Sequence, residues 1–279
     1  MAILLSLLAA VTYGLSDFLG GVFSKRTSPW AIAFVASVVG GAGVLALSPV
    51  LDGSPDRTDL AWALLAGLGN GFGTAFLYRG LSSGRMGVVA PVSGVGAALL
   101  PVVVGVLTGE RPSPLVWLGI ASAVPAIWLV AREPSTGDLA GDGASAAVVN
   151  GVLAGLGFGT LFVALAQIPE EAGILPLALN QAIAAVVIVA VASALRVPWA
   201  PRDPTALKGA LCGVLGASAT VLFLLATREG LLTVAAVITS LYPAFTVVLA
   251  ASVLREHIHR AQAVGLGLCV LAVILVAAG

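Results

Sequence analysis

The chain has 279 residues, of which 59% are hydrophobic and 9% charged, and its mean hydropathy is +1.09. A soluble domain carries roughly 45–50% apolar and about 25% charged residues, so this composition excludes both a water-facing globular surface and a disordered chain. Its 13 basic and 13 acidic residues cancel, and without a basic run nothing points to a nucleic-acid partner. A polytopic helical membrane protein is what remains.

Crossing the hydrocarbon core takes about 20 mostly apolar residues. Ten stretches qualify in chain order. The first five are Ala2 to Phe23, Trp30 to Leu51, Leu60 to Gly80, Gly87 to Thr108 and Pro114 to Ala131. The second five are Ala146 to Gln167, Ile174 to Leu195, Ala206 to Thr227, Leu232 to Leu254 and Ala261 to Ala278. Their connections are short, so no extramembrane domain fits. The first stretch lacks a basic leader and contains Asp17, so it reads as a span rather than a cleaved signal.

The longest connection, 132–145, is rich in Gly, Ser and Asp and divides the chain almost in half. Residues 1–131 and 146–279 are therefore expected to be two five-helix repeats. Sliding Leu65–Ala131 onto Leu211–Ala277, an ungapped offset of 146, gives 15 identities in 67 positions, among them Gly84 with Gly230, Glu110 with Glu256 and Gly119 with Gly265. About seven would arise from composition alone. A second copy of a five-span unit enters the membrane from the opposite side. The expected fold class is thus an all-α membrane protein of ten transmembrane helices in two inverted repeats, an architecture that secondary transporters use with a substrate site between the halves.

Three stretches carry a family resemblance. They are Tyr13-Gly14-Leu15-Ser16-Asp17-Phe18-Leu19-Gly20-Gly21, Val89-Ala90-Pro91-Val92-Ser93 through Gly109-Glu110-Arg111-Pro112-Ser113, and Leu241-Tyr242-Pro243 through Leu254-Arg255-Glu256. Over essentially its whole length the sequence resembles EamA-type transporters of the drug/metabolite transporter superfamily. The halves depart from each other in one respect: Pro91 and Pro101 align with Val237 and Val247, whereas Pro243 aligns with Ala97. The resemblance implies a multi-pass protein of the bacterial inner or plasma membrane that exports a small metabolite.

Asp17 is the only acidic residue inside an apolar stretch. Such a carboxylate is costly to insert and tends to mark a pathway. It could serve a proton or another coupling ion or contact a substrate amine; alternatively it faces an aqueous vestibule or pairs with Lys25 or Arg26. Pro91, Pro101 and Pro243 sit within apolar stretches, where a missing donor frees a carbonyl. The resemblance places their helices around the cavity as bent walls. It also places the helices of Tyr13, Asn70, Ser93 and Tyr242 there, with Tyr13, Asn70 and Tyr242 the stronger candidates.

Glu110 and Glu256 close equivalent helices and are expected to pair with loop arginines or a helix N-terminus. Arg79 and Arg228 are expected to snorkel, and His257 and His259 to be solvated. Cys212 and Cys269 have no metal-ligand company and read as small buried apolar side chains. No cofactor or metal is implied, nor is an enzyme motif present. The expected partners are a small-molecule substrate, the lipid bilayer and a proton as a coupling ion. Counting loop Lys and Arg favours termini outside, whereas the resemblance implies cytoplasmic termini. A membrane enzyme acting on lipid or prenyl groups is the alternative from another class.

Overall fold

The computed structural model describes residues 1–49, 53–82, 86–130, 142–253 and 258–279, with side chains except at 86–88, 90, 91, 142–145 and 250. The first half contains α1 (Ala2–Ser24), α2 (Pro29–Leu47), α3 (Arg57–Ser82), α4 (Met86–Leu107) and α5 (Pro114–Val130). The second contains α6 (Asp142–Leu165), α7 (Leu175–Ala194), the short α8 (Pro204–Leu207) leading into α9 (Gly209–Arg228), α10 (Leu232–Thr239), α11 (Tyr242–Val253) and α12 (Arg260–Ala278). No strand occurs among the described residues. Eight helical stretches are long and apolar enough to cross a membrane, counting α8–α9 and α10–α11 as one each. Two shorter apolar helices, Val92–Leu107 within α4 and Pro114–Val130 in α5, accompany them among the described residues. Of the expected linker, residues 132–141 lie outside the described residues, as do Gly84, Arg255, Glu256 and His257; α6 already begins at Asp142.

The loop chemistry sets the helix starts. Asp56 caps α3 by accepting from the backbone N–H of Thr58 and Asp59 at 2.7 and 2.9 Å, and Asp59 answers by accepting from the Asp56 N–H at 2.9 Å. Pro29 and Pro204 occupy first-turn positions, where the missing donor costs nothing. Asp203 caps α8 and accepts from Thr27 Oγ1 at 2.5 Å, which ties the α1–α2 connection to the α7–α8 connection. That hydroxyl contact holds the Asp203 carboxyl below the usual carboxylate range. His259, exposed as expected, opens α12 in a capping box with Gln262.

The two halves pack chiefly against each other rather than each within itself. Helix α3 lies on α6 and α7, while α9 lies on α1 and α2. Helix α4 lies on α6, while α1 lies on α10 and α11. Helices α2 and α7 pair, as do α5 and α12. Exchanging the halves maps this set of pairs onto itself. The register obeys the same exchange. A Cβ on Gly119 would lie 2.6 Å from Val276, and one on Gly265 would lie 2.5 Å from Val130, and each pair is the other shifted by 146 residues. Early α5 thus meets late α12 and late α5 meets early α12, so these two helices run antiparallel. By contrast, Gly67 meets Ile183 and Gly71 meets Val187, so α3 and α7 run parallel.

Glycines bring the helix backbones close, as in other membrane bundles. At the α3–α6 crossing, a Cβ on Gly157 would lie 2.5 Å from the Gly73 nitrogen. Glu110 reaches from the end of α4 to the N-terminus of α10. Its carboxylate accepts from the Leu232 N–H at 2.6 Å, the Thr233 N–H at 3.0 Å and the Thr233 hydroxyl. Of the two expected roles for Glu110, the structure selects the helix N-terminus. Arg228 departs from its expectation: instead of snorkelling, it donates to the carbonyls of Pro169 at 2.8 Å and Gly173 at 3.2 Å and so anchors the α6–α7 connection.

Candidate functional site

A cavity of about 60 Å³, partly open to the outside, lies where the two halves meet. Helix α1 brings Tyr13, Ser16 and Asp17 to it, and α2 brings Ala36 and Ser37. Asn70, Thr74, Leu77 and Tyr78 come from α3, and Phe158 and Phe162 from α6. Gln181 comes from α7, Thr220 and Cys212 from α9, and Tyr242 from the first residue of α11. The whole sequence contains three tyrosines, and all three line this one cavity.

The tyrosine hydroxyls bridge the halves. Tyr13 Oη lies 2.8 Å from Thr220 Oγ1. Because Thr220 already donates to the Gly216 carbonyl at 2.8 Å, Tyr13 is the donor. Tyr242 Oη lies 3.0 Å from Ser93 Oγ on α4. The Tyr13 ring sits 6.4 Å from that of Tyr242 and 6.2 Å from that of Phe162, both tilted. Phe162 in turn stacks on Phe223 at 4.3 Å, which backs the aromatic wall with buried core. Helix α1 can approach the start of α11 because residue 14 is glycine: a Cβ there would lie 2.7 Å from both the Tyr242 carbonyl oxygen and Phe245 Cβ.

The cavity also holds an amide cluster. Asn70 Nδ2 donates to Gln181 Oε1 at 3.1 Å and to Asn180 Oδ1 at 3.3 Å, and Thr74 Oγ1 donates to Asn70 Oδ1 at 3.2 Å. The chain Thr74–Asn70–Gln181 fixes the orientation of the Asn70 amide and engages Gln181 through its Oε1. Asp17 lies seven residues, about 10 Å, from the end of α1. Among the described residues it is the only charged side chain lining the cavity. Neither Lys25 nor Arg26 pairs with it, and no donor among the described residues satisfies its carboxylate.

Of the residues singled out from sequence, Tyr13, Asp17, Asn70 and Tyr242 share this cavity. Ser93 stands behind Tyr242 as its hydrogen-bond partner. Pro243 points away toward Gly94, where a Cβ would lie 3.3 Å from its Cγ. Pro91 lies on α4, and its side chain is outside the described residues. Pro243 sits inside the apolar span Leu232–Val253, which breaks into α10 and α11 around Ser240 and Leu241, so that the proline stands in the first turn of the second helix. The sequence reading missed Phe158, Phe162, Ser37 and the cavity-facing position of Cys212. Phe158, Phe162 and Cys212 are apolar residues in apolar spans and carry no signal of the face they present; Ser37 is a polar signal that the reading passed over.

An all-helical bundle of long apolar helices, with a mostly apolar cavity carrying a few polar groups between its halves, is a polytopic membrane protein. The family model described as the EamA-like transporter family matches residues 1–132 and 145–278, so the chain belongs to that family. Among solved structures 28 chains match. One, a crystal structure of a protein 14% identical to this chain, superposes with a TM-score of 0.70 over 96% of this chain and 98% of its own, a likeness in fold. No curated protein matches the chain.

Proposed function

We propose that this protein is a secondary transporter that exports a small metabolite across the cell membrane by alternating access. The observation that carries the reading is the cavity itself. Its wall is contributed by both halves, and two tyrosine hydroxyl contacts, Tyr13 to Thr220 and Tyr242 to Ser93, tie the halves together across it. A movement of one half against the other has to remake those contacts, so a bound solute can bias the two facing states through them. The antiparallel packing of α5 on α12 supports an inverted relation between the halves, which gives the two facing states similar energies. Membership of a transporter family agrees with this reading.

The test is counterflow in proteoliposomes loaded with amino acids, sugars and organic cations. Exchange of one solute class, reduced at least about tenfold in Asp17→Asn, is the expected result. A monodisperse protein that exchanges no solute sinks the reading in favour of a non-transport role, whereas exchange indifferent to Asp17 keeps transport and removes Asp17 from it.

A further inference from the structure

The cavity carries a charge pattern that narrows the solute. Among the described residues Asp17 is its one charged group, and no Lys, Arg or His lines it. An unpaired carboxylate on an apolar span is costly unless something cationic completes it. The same cavity is lined by Tyr13, Tyr78 and Tyr242 and by Phe158 and Phe162, five aromatic side chains in all. Tyr13 is one helical turn from Asp17 on α1, so carboxylate and ring present themselves on the same side. A carboxylate beside several aromatic faces is the arrangement that recognises an ammonium group, through charge on one side and cation–π attraction on the others. A substrate carboxylate would find amide and hydroxyl donors but no positive charge, and Asp17 would repel it.

We propose that the cavity selects small organic amines: cations with an apolar or aromatic body, in preference to zwitterionic amino acids and neutral solutes of the same shape. Asp17 takes the ammonium, and the tyrosines and phenylalanines take the body. This rests on the transport reading for its biological meaning but not for its binding chemistry.

Isothermal titration of the full-length purified protein with 2-phenylethylamine, 2-phenylethanol and phenylalanine separates the terms. These share a body and differ in one charge or in one added carboxylate. The amine is expected to bind at least about tenfold more tightly than either of the others, and Asp17→Asn to bring it down to the level of the alcohol. The wild-type series decides the matter even where Asp17→Asn does not fold. Equal binding of amine and alcohol, tighter binding of phenylalanine, or no binding of the amine overturns the proposal. Amine binding without counterflow would keep the cation site and remove transport, whereas counterflow of a neutral or zwitterionic solute alone would keep transport and remove the cation site.

Discussion

Helix α4 and the pair α10–α11 occupy equivalent places in the two halves and end differently. Each is crossed by a glycine of the other half's first helix. A Cβ on Gly159 of α6 would lie 3.1 Å from the Gly96 carbonyl oxygen, and one on Gly14 of α1 would lie 2.7 Å from that of Tyr242. Gly96 and Tyr242 are themselves related by the 146-residue offset. The crossing is therefore shared, yet α4 runs on as one helix through Gly96-Ala97, while the other copy breaks before Tyr242-Pro243 and turns the tyrosine into the cavity. The scaffold is repeated; the site is not. Proline alone does not account for the break, because α4 contains Pro101, and α5 Pro125, within continuous helices. Neighbouring helices in a bundle can re-satisfy the carbonyl a proline frees, and whether they do is a property of the packing.

The largest expected effect comes from filling the crossing at the break. Gly14→Leu drives a side chain into Phe245 and the Tyr242 carbonyl and is expected to cost about 3 kcal/mol. Gly267→Ala, with nothing within 4 Å, is its neutral control. Thermal unfolding in detergent compares them, and equal midpoints would mean that α1 does not bear on the start of α11.

Removing the carboxylate cap is expected to be smaller. Glu110→Ala leaves the Leu232 and Thr233 donors unpaired and should cost about 1–2 kcal/mol. Amide exchange should accelerate at Leu232 and Thr233 while the α4 amides keep their protection. Uniform acceleration across both helices would show that Glu110 stabilises the bundle as a whole rather than the end of α10.

The smallest effect is assigned to the residue that looks most disruptive on paper. Pro243 stands where a helix has no use for its N–H, so Pro243→Ala should shift stability by less than about 1 kcal/mol and leave the break in place. Fusion of α10 and α11 into one protected helix in that variant would return the cause of the break to the proline.

Much of the architecture was legible from residue type alone. Ten apolar stretches, the repeat at offset 146 and the acidic residue on α1 follow from the arithmetic of apolar length and the cost of inserting charge, which act locally along the chain. Tyr13, Asp17, Asn70 and Tyr242 could be named because polar side chains are rare in such spans. Residues such as Phe162 and Cys212 could not, since in lipid an apolar side chain has no preferred face that composition reveals. The break at Tyr242, the bridges from Tyr13 to Thr220 and Tyr242 to Ser93, and the meeting of all three tyrosines around Asp17 were decided by tertiary structure. They join residues 149 to 207 positions apart, and only the close crossing of glycine-bearing helices brings such residues into contact.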